Sequence, residues 1–533
     1  MAIKRYIADA DTTITNAYKS NLTTRGTGSN MGRADSMAIF SIYGQESTGS
    51  TELSRTLLNF PLDSIGSDRD ASVLPGSGSV KFYLKMFNAV TPFTVPRDFV
   101  LTVSAVSATA WPGNFSWQEG SGIDMENYSD VTRNGIGANW MNVGSSSAGG
   151  LVTWQNVGGD YYADASSSFT VGFNNGTENL ELDISPLVEQ WLGAQDQSPG
   201  NVLGEKKNYG LGVRLSPEYE AYFSSSLGTA TGSIPQNTAG AHRSYYTKKF
   251  FARSSAFFYK RPYIEARWDS ATKDYRGSFF YSSSLATADE NLNTVYLYNY
   301  FRGQLRNIPD IGTGNIYVSV HSGSIPSGPS GSALVFAPAS SYVLGATPTV
   351  VTGGHVSTGV YSASFAITAS SSPLDYLFDV WHNDAGIQYQ TGTIAPETIS
   401  LSAQNADTTY VTNITNLKSV YRTTETARFR VFTRDKNWYP NIYTRAYASV
   451  SPLIIDSGSY AVTRVIDGVE AVTFGTGSDL QTQMSFDISG SFFDLDIGML
   501  QPGYSYKMNF AFYNGSIADW VVQPQEFKFR VEE

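Results

Sequence analysis

Cysteine is missing from this chain altogether, histidine occurs only four times, and charged residues make up just 16% of its 533 positions. Without thiols there are no disulfides and no thiolate metal sites, so a fold this large must draw its stability from extensive sheets and subunit contacts. The histidines, His242, His321, His355 and His382, form no HExxH motif and no pair spaced to share a metal from one helix or strand. A G-x-S-x-G elbow in strand-turn-helix context and a phosphate-cradling P-loop are lacking too. Hydrolase and nucleotide-hydrolase chemistries thereby lose their main signatures, and the reading is of a protein that is not an enzyme and requires no cofactor. No run approaches the roughly 18 uninterrupted apolar residues of a membrane helix, so no membrane insertion is expected. The opening residues reach the polar Asp9 and Asp11 with no apolar segment and no small-residue cleavage site. No export signal is read there, which fits a product assembled in the cytoplasm and released by lysis. Positive charge is scarce as well: a net charge of -11 repels phosphate backbones and excludes nucleic acid as a partner.

What is present points to sheets. Hydrophobic residues reach 41% and aromatic residues 14%, with Tyr 33, Phe 30 and Gly 49 set among Ser and Thr. Aromatic and β-branched side chains suit pleated, half-buried surfaces. The length exceeds one core and predicts about three domains at roughly 150 residues each. Alternating runs over 80–86, 99–103, 168–173 and 263–268 each predict a strand with one buried face. One short helix is expected over 185–193, with Ser185 to accept from orphan N–H groups, Pro186 at the first position, Leu187 and Trp191 on one face and Gly193 to close it. Polar breaks at 269–274 and near 395–397 divide the chain into 1–268, 275–394 and 397–533. The last two blocks have the size of immunoglobulin-like β-sandwiches, and 324–332 has the composition of a surface loop.

Three groups of residues are candidates for chemistry. Asp9 with Asp11, and Asp494 with Asp496, have the D-x-D spacing that points two carboxylates to one side of a strand and could serve calcium. Neither continues into an EF-hand loop, so solvated strand edges or turns are the plainer reading. Trp111, Trp117, Tyr128, Trp140, Trp154, Tyr161 and Tyr162 crowd a region rich in Gly, Asn and Ser. Sugar rings stack their C–H faces on such side chains, which makes Trp111, Trp117, Trp140, Trp154 and Tyr161 the glycan-binding candidates. The plainer reading is that they fill a core under long loops or meet a neighbouring subunit. Phe250, Phe251, Phe257, Phe258 and Tyr259 read as closing strands of the first block, with Lys248, Lys249, Lys260 and Arg261 solvated.

Residues 1–268 also contain an ordered set of segments: Ala8-Asp9-Ala10-Asp11-Thr12-Thr13-Ile14, Ser54-Arg55-Thr56-Leu57-Leu58-Asn59-Phe60-Pro61-Leu62, Trp117-Gln118-Glu119-Gly120, the stretch from Leu182 to Trp191, Asn208-Tyr209-Gly210-Leu211-Gly212-Val213-Arg214, and Arg261-Pro262-Tyr263-Ile264-Glu265-Ala266. In this order they resemble DNRLRE-type carbohydrate-binding-module-like β-sandwiches, enlarged here by insertions around 121–160 and 220–247. The resemblance implies an all-β chain: an N-terminal jelly-roll-like β-sandwich followed by two immunoglobulin-like β-sandwich domains. The whole arrangement resembles virion structural proteins of tailed phages, particularly the large marine T4-like myoviruses. That implies an exposed accessory or fibre-type component of capsid, neck, tail or baseplate, located in the virion. Its implied partners are other virion proteins, further copies of itself in a homo-oligomer, and host-surface glycan. A secreted or cell-surface polysaccharide-binding protein is the alternative, and a glycan-cleaving tailspike a weaker one.

Overall fold

The structure is a computed structural model describing residues 2–44, 50–91, 94–107, 115–125, 137–145, 150–196, 206–337, 348–370, 373–398, 409–438 and 452–533. It is nearly all β, with two α-helices among the described residues, and divides into two compact units, 2–268 and 269–533.

The first unit runs β1 (Ile3–Ile7), β2 (Ala10–Thr15), β3 (Ser36–Ile42), β4 (Glu52–Asn59), α1 (Leu62–Asp70), β5 (Lys81–Met86), β6 (Phe99–Ala105), β7 (Asn142–Ser145), β8 (Leu151–Thr153), β9 (Ser168–Phe173), β10 (Leu180–Asp183), α2 (Ser185–Asp196), β11 (Leu211–Leu215), β12 (Tyr245–Phe251) and β13 (Tyr263–Arg267). A four-stranded sheet in the order β1-β13-β5-β10 faces a seven-stranded one, β12-β3-β4-β11-β6-β9 with β2 also paired to β4. Alternation sets which side chains meet. On β5, Phe82, Leu84 and Met86 point inward while Lys81, Tyr83 and Lys85 point away, and Phe82 lies opposite Ala266 and Leu84 opposite Ile264. These residues, with Leu58, Leu101, Val103, Val213, Phe173 and Phe250 of the larger sheet, form the main core.

The helix expected at 185–193 is one turn longer, and its first residue has a different task. The Ser185 hydroxyl accepts from the Phe82 N–H at 2.8 Å and donates to Asp183 at 2.5 Å, fastening α2 to β5 instead of capping it. Leu187, Val188 and Trp191 then enter the main core. β13, read as half-buried, is buried on both faces. Its second face carries Glu265, bonded to Arg5 at 2.7 Å and to Arg267 at 2.7 Å, with Arg267 reaching Glu181 at 2.6 Å. Burial pushes the Glu265 carboxyl up, but Arg5, Lys85 and Arg267 outweigh it and hold it down at about 2.

The second unit is all sheet. Asn293–Tyr298, Val360–Phe365, Val350–Ser357, Ile316–Ser324, Leu377–His382 and Gln388–Ile394 follow one another across a single sheet, with Gly328–Ala333 joined to its centre. This sheet curls about its own core of Val295, Val318, Tyr361, Phe365 and Trp381. Further on, the sheet of Tyr410–Ile414, Thr426–Asp435, Gly490–Asp496 and Ser485–Asp487 accompanies a six-stranded one centred on Ser505–Asn514. Rings from both sheets meet between them: Tyr460 stacks on Phe493 with centroids 4.0 Å apart, and Phe493 stacks on Phe429 at 5.1 Å. The tract at 324–332, expected to be a loop, contributes a strand, because Ser324 and Gly328 pair across a tight turn.

Candidate functional site

The seven-stranded sheet of the first unit is covered on its outer face by a third layer, built from 115–125, 137–145 and 150–161, with β7 and β8 paired antiparallel within it. Strand parity creates the need for it. On β4, Leu58 faces the main core while Leu53, Arg55 and Leu57 face outward, and Ile14 of β2 and Val106 add to that second apolar surface. An apolar sheet face left in water would be costly, and Trp117, Trp140, Val143, Val152 and Trp154 close over it.

Among the glycan-binding candidates, Trp117, Trp140 and Trp154 are therefore interior rings, and each indole N–H is satisfied by a backbone carbonyl. Trp140 donates to Ser233 at 2.7 Å, Trp154 to Asn139 at 2.8 Å and Trp117 to Tyr209 at 2.9 Å. Tyr161 packs on Gly212, where a β-carbon would come within 1.9 Å of its ring, and donates to the Gly158 carbonyl at 3.0 Å. Burial pushes its phenol up, against the pull of Arg55 and Arg214, whose guanidinium lies 4.3 Å from the ring centre. Trp111 and Tyr128 lie outside the described residues.

Two ion pairs hold the surroundings of this layer, one through Arg55 of the sheet and one through Glu119 of the layer. Arg55 holds Glu220 through two hydrogen bonds at 2.9 and 2.7 Å, donates to the Gly158 carbonyl at 2.9 Å and faces the Trp140 ring at 5.3 Å. Glu119 makes a two-point pair with Arg253 and also accepts from the Asp11 N–H at 3.0 Å. Asp11, expected at a solvated edge, is in fact buried. One carboxylate oxygen accepts from the Arg253 N–H at 2.6 Å, and the other is enclosed with no hydrogen-bond partner. Burial foremost, with the neighbouring Glu119 carboxylate, pushes Asp11 up to about 7.

The other acidic candidates do not converge. Asp494 is taken by Arg428 through two bonds of 2.8 Å, and Asp496 accepts from the Gly498 N–H at 2.9 Å, capping a single helical turn. Among the described residues no three His, Asp or Glu side chains gather in a way that could hold a metal. The histidines are likewise dispersed: His242 stacks on Tyr222 at 4.5 Å, His321 meets Ser319, His355 meets Asn307, and His382 meets the Asn383 carbonyl. An open cleft of about 510 Å³ is lined by Asp9, Asn59, Pro61, Trp191, Lys207 and Asn208.

Exposed apolar side chains lie on the layer and on two loops beside it. Leu22 is 78% exposed on a loop closed by the pairing of Tyr18 with Arg25, and Leu227 is 77% exposed on a loop that is closed by the pairing of Phe223 with Asn237 and contains Ser233. Asn16 donates to the same Ser233 carbonyl at 2.9 Å that takes the Trp140 indole, so both loops are anchored to one point of the layer. Ile123 and Leu151 add two more exposed apolar side chains.

Lys248 was missed as well. Expected in solvent, it is buried on β12, and its position two residues before Phe250 is the signal that places it on the inward face. No protein-family model and no curated protein matches the chain.

Proposed function

We propose that the chain is a bacteriophage virion structural protein, an exposed accessory or fibre-type component whose work is assembly or attachment. The observation that carries this reading is the third layer. Its described tryptophans and the Arg55–Glu220 and Glu119–Arg253 pairs are spent on fixing a long insertion in place, while Leu22 and Leu227 are held out on loops anchored to it and Ile123 and Leu151 are exposed on the layer itself. A body presenting such exposed apolar side chains suits contact with another protein surface, where burial of such groups drives association. The ordered segments resembling DNRLRE-type modules, in a cysteine-free chain that continues into further β-sandwich material, support the same reading.

The test is mass spectrometry of purified particles together with image reconstruction. The chain is expected among the particle's proteins, with density for the three-layer unit on an exposed surface. Particles of the encoding phage that lack the chain would end the proposal.

A further inference from the structure

We propose that Lys248 and Asn88 become joined by an intramolecular isopeptide bond, a covalent tie between β12 and the chain leaving β5. The inference rests on the pair's own geometry and is independent of the virion reading. The Lys248 amine lies 2.8 Å from the side-chain oxygen of Asn88, so with a carbonyl bond of about 1.2 Å it is at most about 4 Å from the amide carbon. Backbone pairing fixes that approach: the Ala89 N–H donates to Lys249 at 2.9 Å and the Phe251 N–H to Phe87 at 3.0 Å, so the two side chains are held in register. The carbonyls of Gly176, at 3.0 Å, and Glu178, at 2.6 Å, complete the cradle, and the Phe173 and Phe250 rings stand 4.7 and 5.1 Å from the amine.

This setting makes a nucleophile. Lys248 is 2% exposed, and burial lowers its amine to about 8, Glu178 opposing the shift, so neutral amine is available near physiological pH. Glu178 meets the amine through its backbone carbonyl, while its carboxylate accepts from the Asn175 N–H at 2.6 Å. The ammonium gives up one proton to reach the reactive form. Nζ then attacks the amide carbon, the new C–N bond forms as the bond to Nδ2 breaks, and a second proton passes from Nζ to the departing nitrogen. The released ammonia takes up the first proton and leaves as ammonium. No electrons are exchanged and no co-reactant is consumed. Holding amine and amide together in a preformed site is what lifts an otherwise very slow amide exchange.

Intact-mass measurement on the purified full chain tests this. A deficit of about 17 Da, one ammonia, is expected against the mass encoded by the sequence, with a branched peptide joining Asn88 to Lys248 after digestion. K248R and N88A should both return to the encoded mass. Wild-type protein at the encoded mass overturns the proposal. So does an equal deficit that maps to a cyclised asparagine before glycine, as at Asn175-Gly176, instead of to the branched peptide.

Discussion

The two units place their charges differently. In 2–268 the principal pairs are inside: Arg55 and Glu220 are 9% and 8% exposed, and Glu265, between Arg5 and Arg267, is 3% exposed. In 269–533 most pairs lie on the surface, as with Arg428 and Asp494 at 54% and 29% or Lys507 and Glu526, and the Arg276–Asp379 pair beneath the curled sheet is the main buried one. Buried pairs add little net stability because desolvation offsets most of their attraction, but they tolerate only one arrangement of the layers around them. Surface pairs constrain almost nothing. The difference shows where the chain needs an exact fit: a third layer laid over a sheet is specified by charge as well as by shape, while stacked rings suffice between two plain sheets.

The largest test of that contrast is Glu220→Ala. It strands the Arg55 guanidinium between Trp140 and Tyr161, and denaturant unfolding of the first unit should show a loss of about 3–5 kcal/mol. Next comes the pH dependence of Asp11. Its folded-state value of about 7 lies above the ordinary carboxylate range, so the folded state retains a proton that the unfolded chain gives up from about pH 4 upward. Stability from this group is therefore complete at low pH and declines as pH rises toward 7. Asp11→Asn should remove that decline, matching wild type near pH 4 and exceeding it at pH 8 by on the order of 3 kcal/mol. A pH-independent difference between the two proteins would show that Asp11 is ionised in the fold.

Much of the architecture was legible because strand parity is local. The runs at 80–86, 168–173 and 263–268 emerge as strands, β5 with the single buried face read for it and β13 with both faces buried, and Leu187 and Trp191 share a buried helical face as their spacing requires. What was not legible depended on partners far along the chain. Glu119 finds Arg253 across 134 positions and Arg55 finds Glu220 across 165, and nothing in either neighbourhood announces the other. The tryptophan concentration was legible as a cluster, but whether a ring faces a ligand or a sheet depends on what lies beneath it. Here the outward parity of Leu53 and Leu57 on β4 decides the matter, and it could have been read from the sequence. Lys248 is the sharper lesson: composition suggested solvent, while its parity with Phe250 pointed inward.

Trp154→Phe probes the layer more gently than the charge change. The ring stays largely filled, but the Asn139 carbonyl loses its indole donor, and the expected loss is about 1–3 kcal/mol with unchanged binding to a host-polysaccharide array. Weaker glycan binding by a stably folded variant would mean that this ring is reached by ligand after all.

The smallest effect is expected in the second unit. Asp494→Ala removes both hydrogen bonds from Arg428, yet the guanidinium is more than half exposed and lies over the Phe492 ring at 4.7 Å, so it keeps water and a ring face as partners. The loss should be under about 1 kcal/mol and should shrink further in high salt, because the attraction it removes is already screened. Calcium should not change the melting temperature of wild type or variant, since Asp494 is engaged by arginine and Asp496 by the backbone. A loss as large as that of Glu220→Ala would abolish the contrast between the units, because it would make a surface pair as demanding as an interior one.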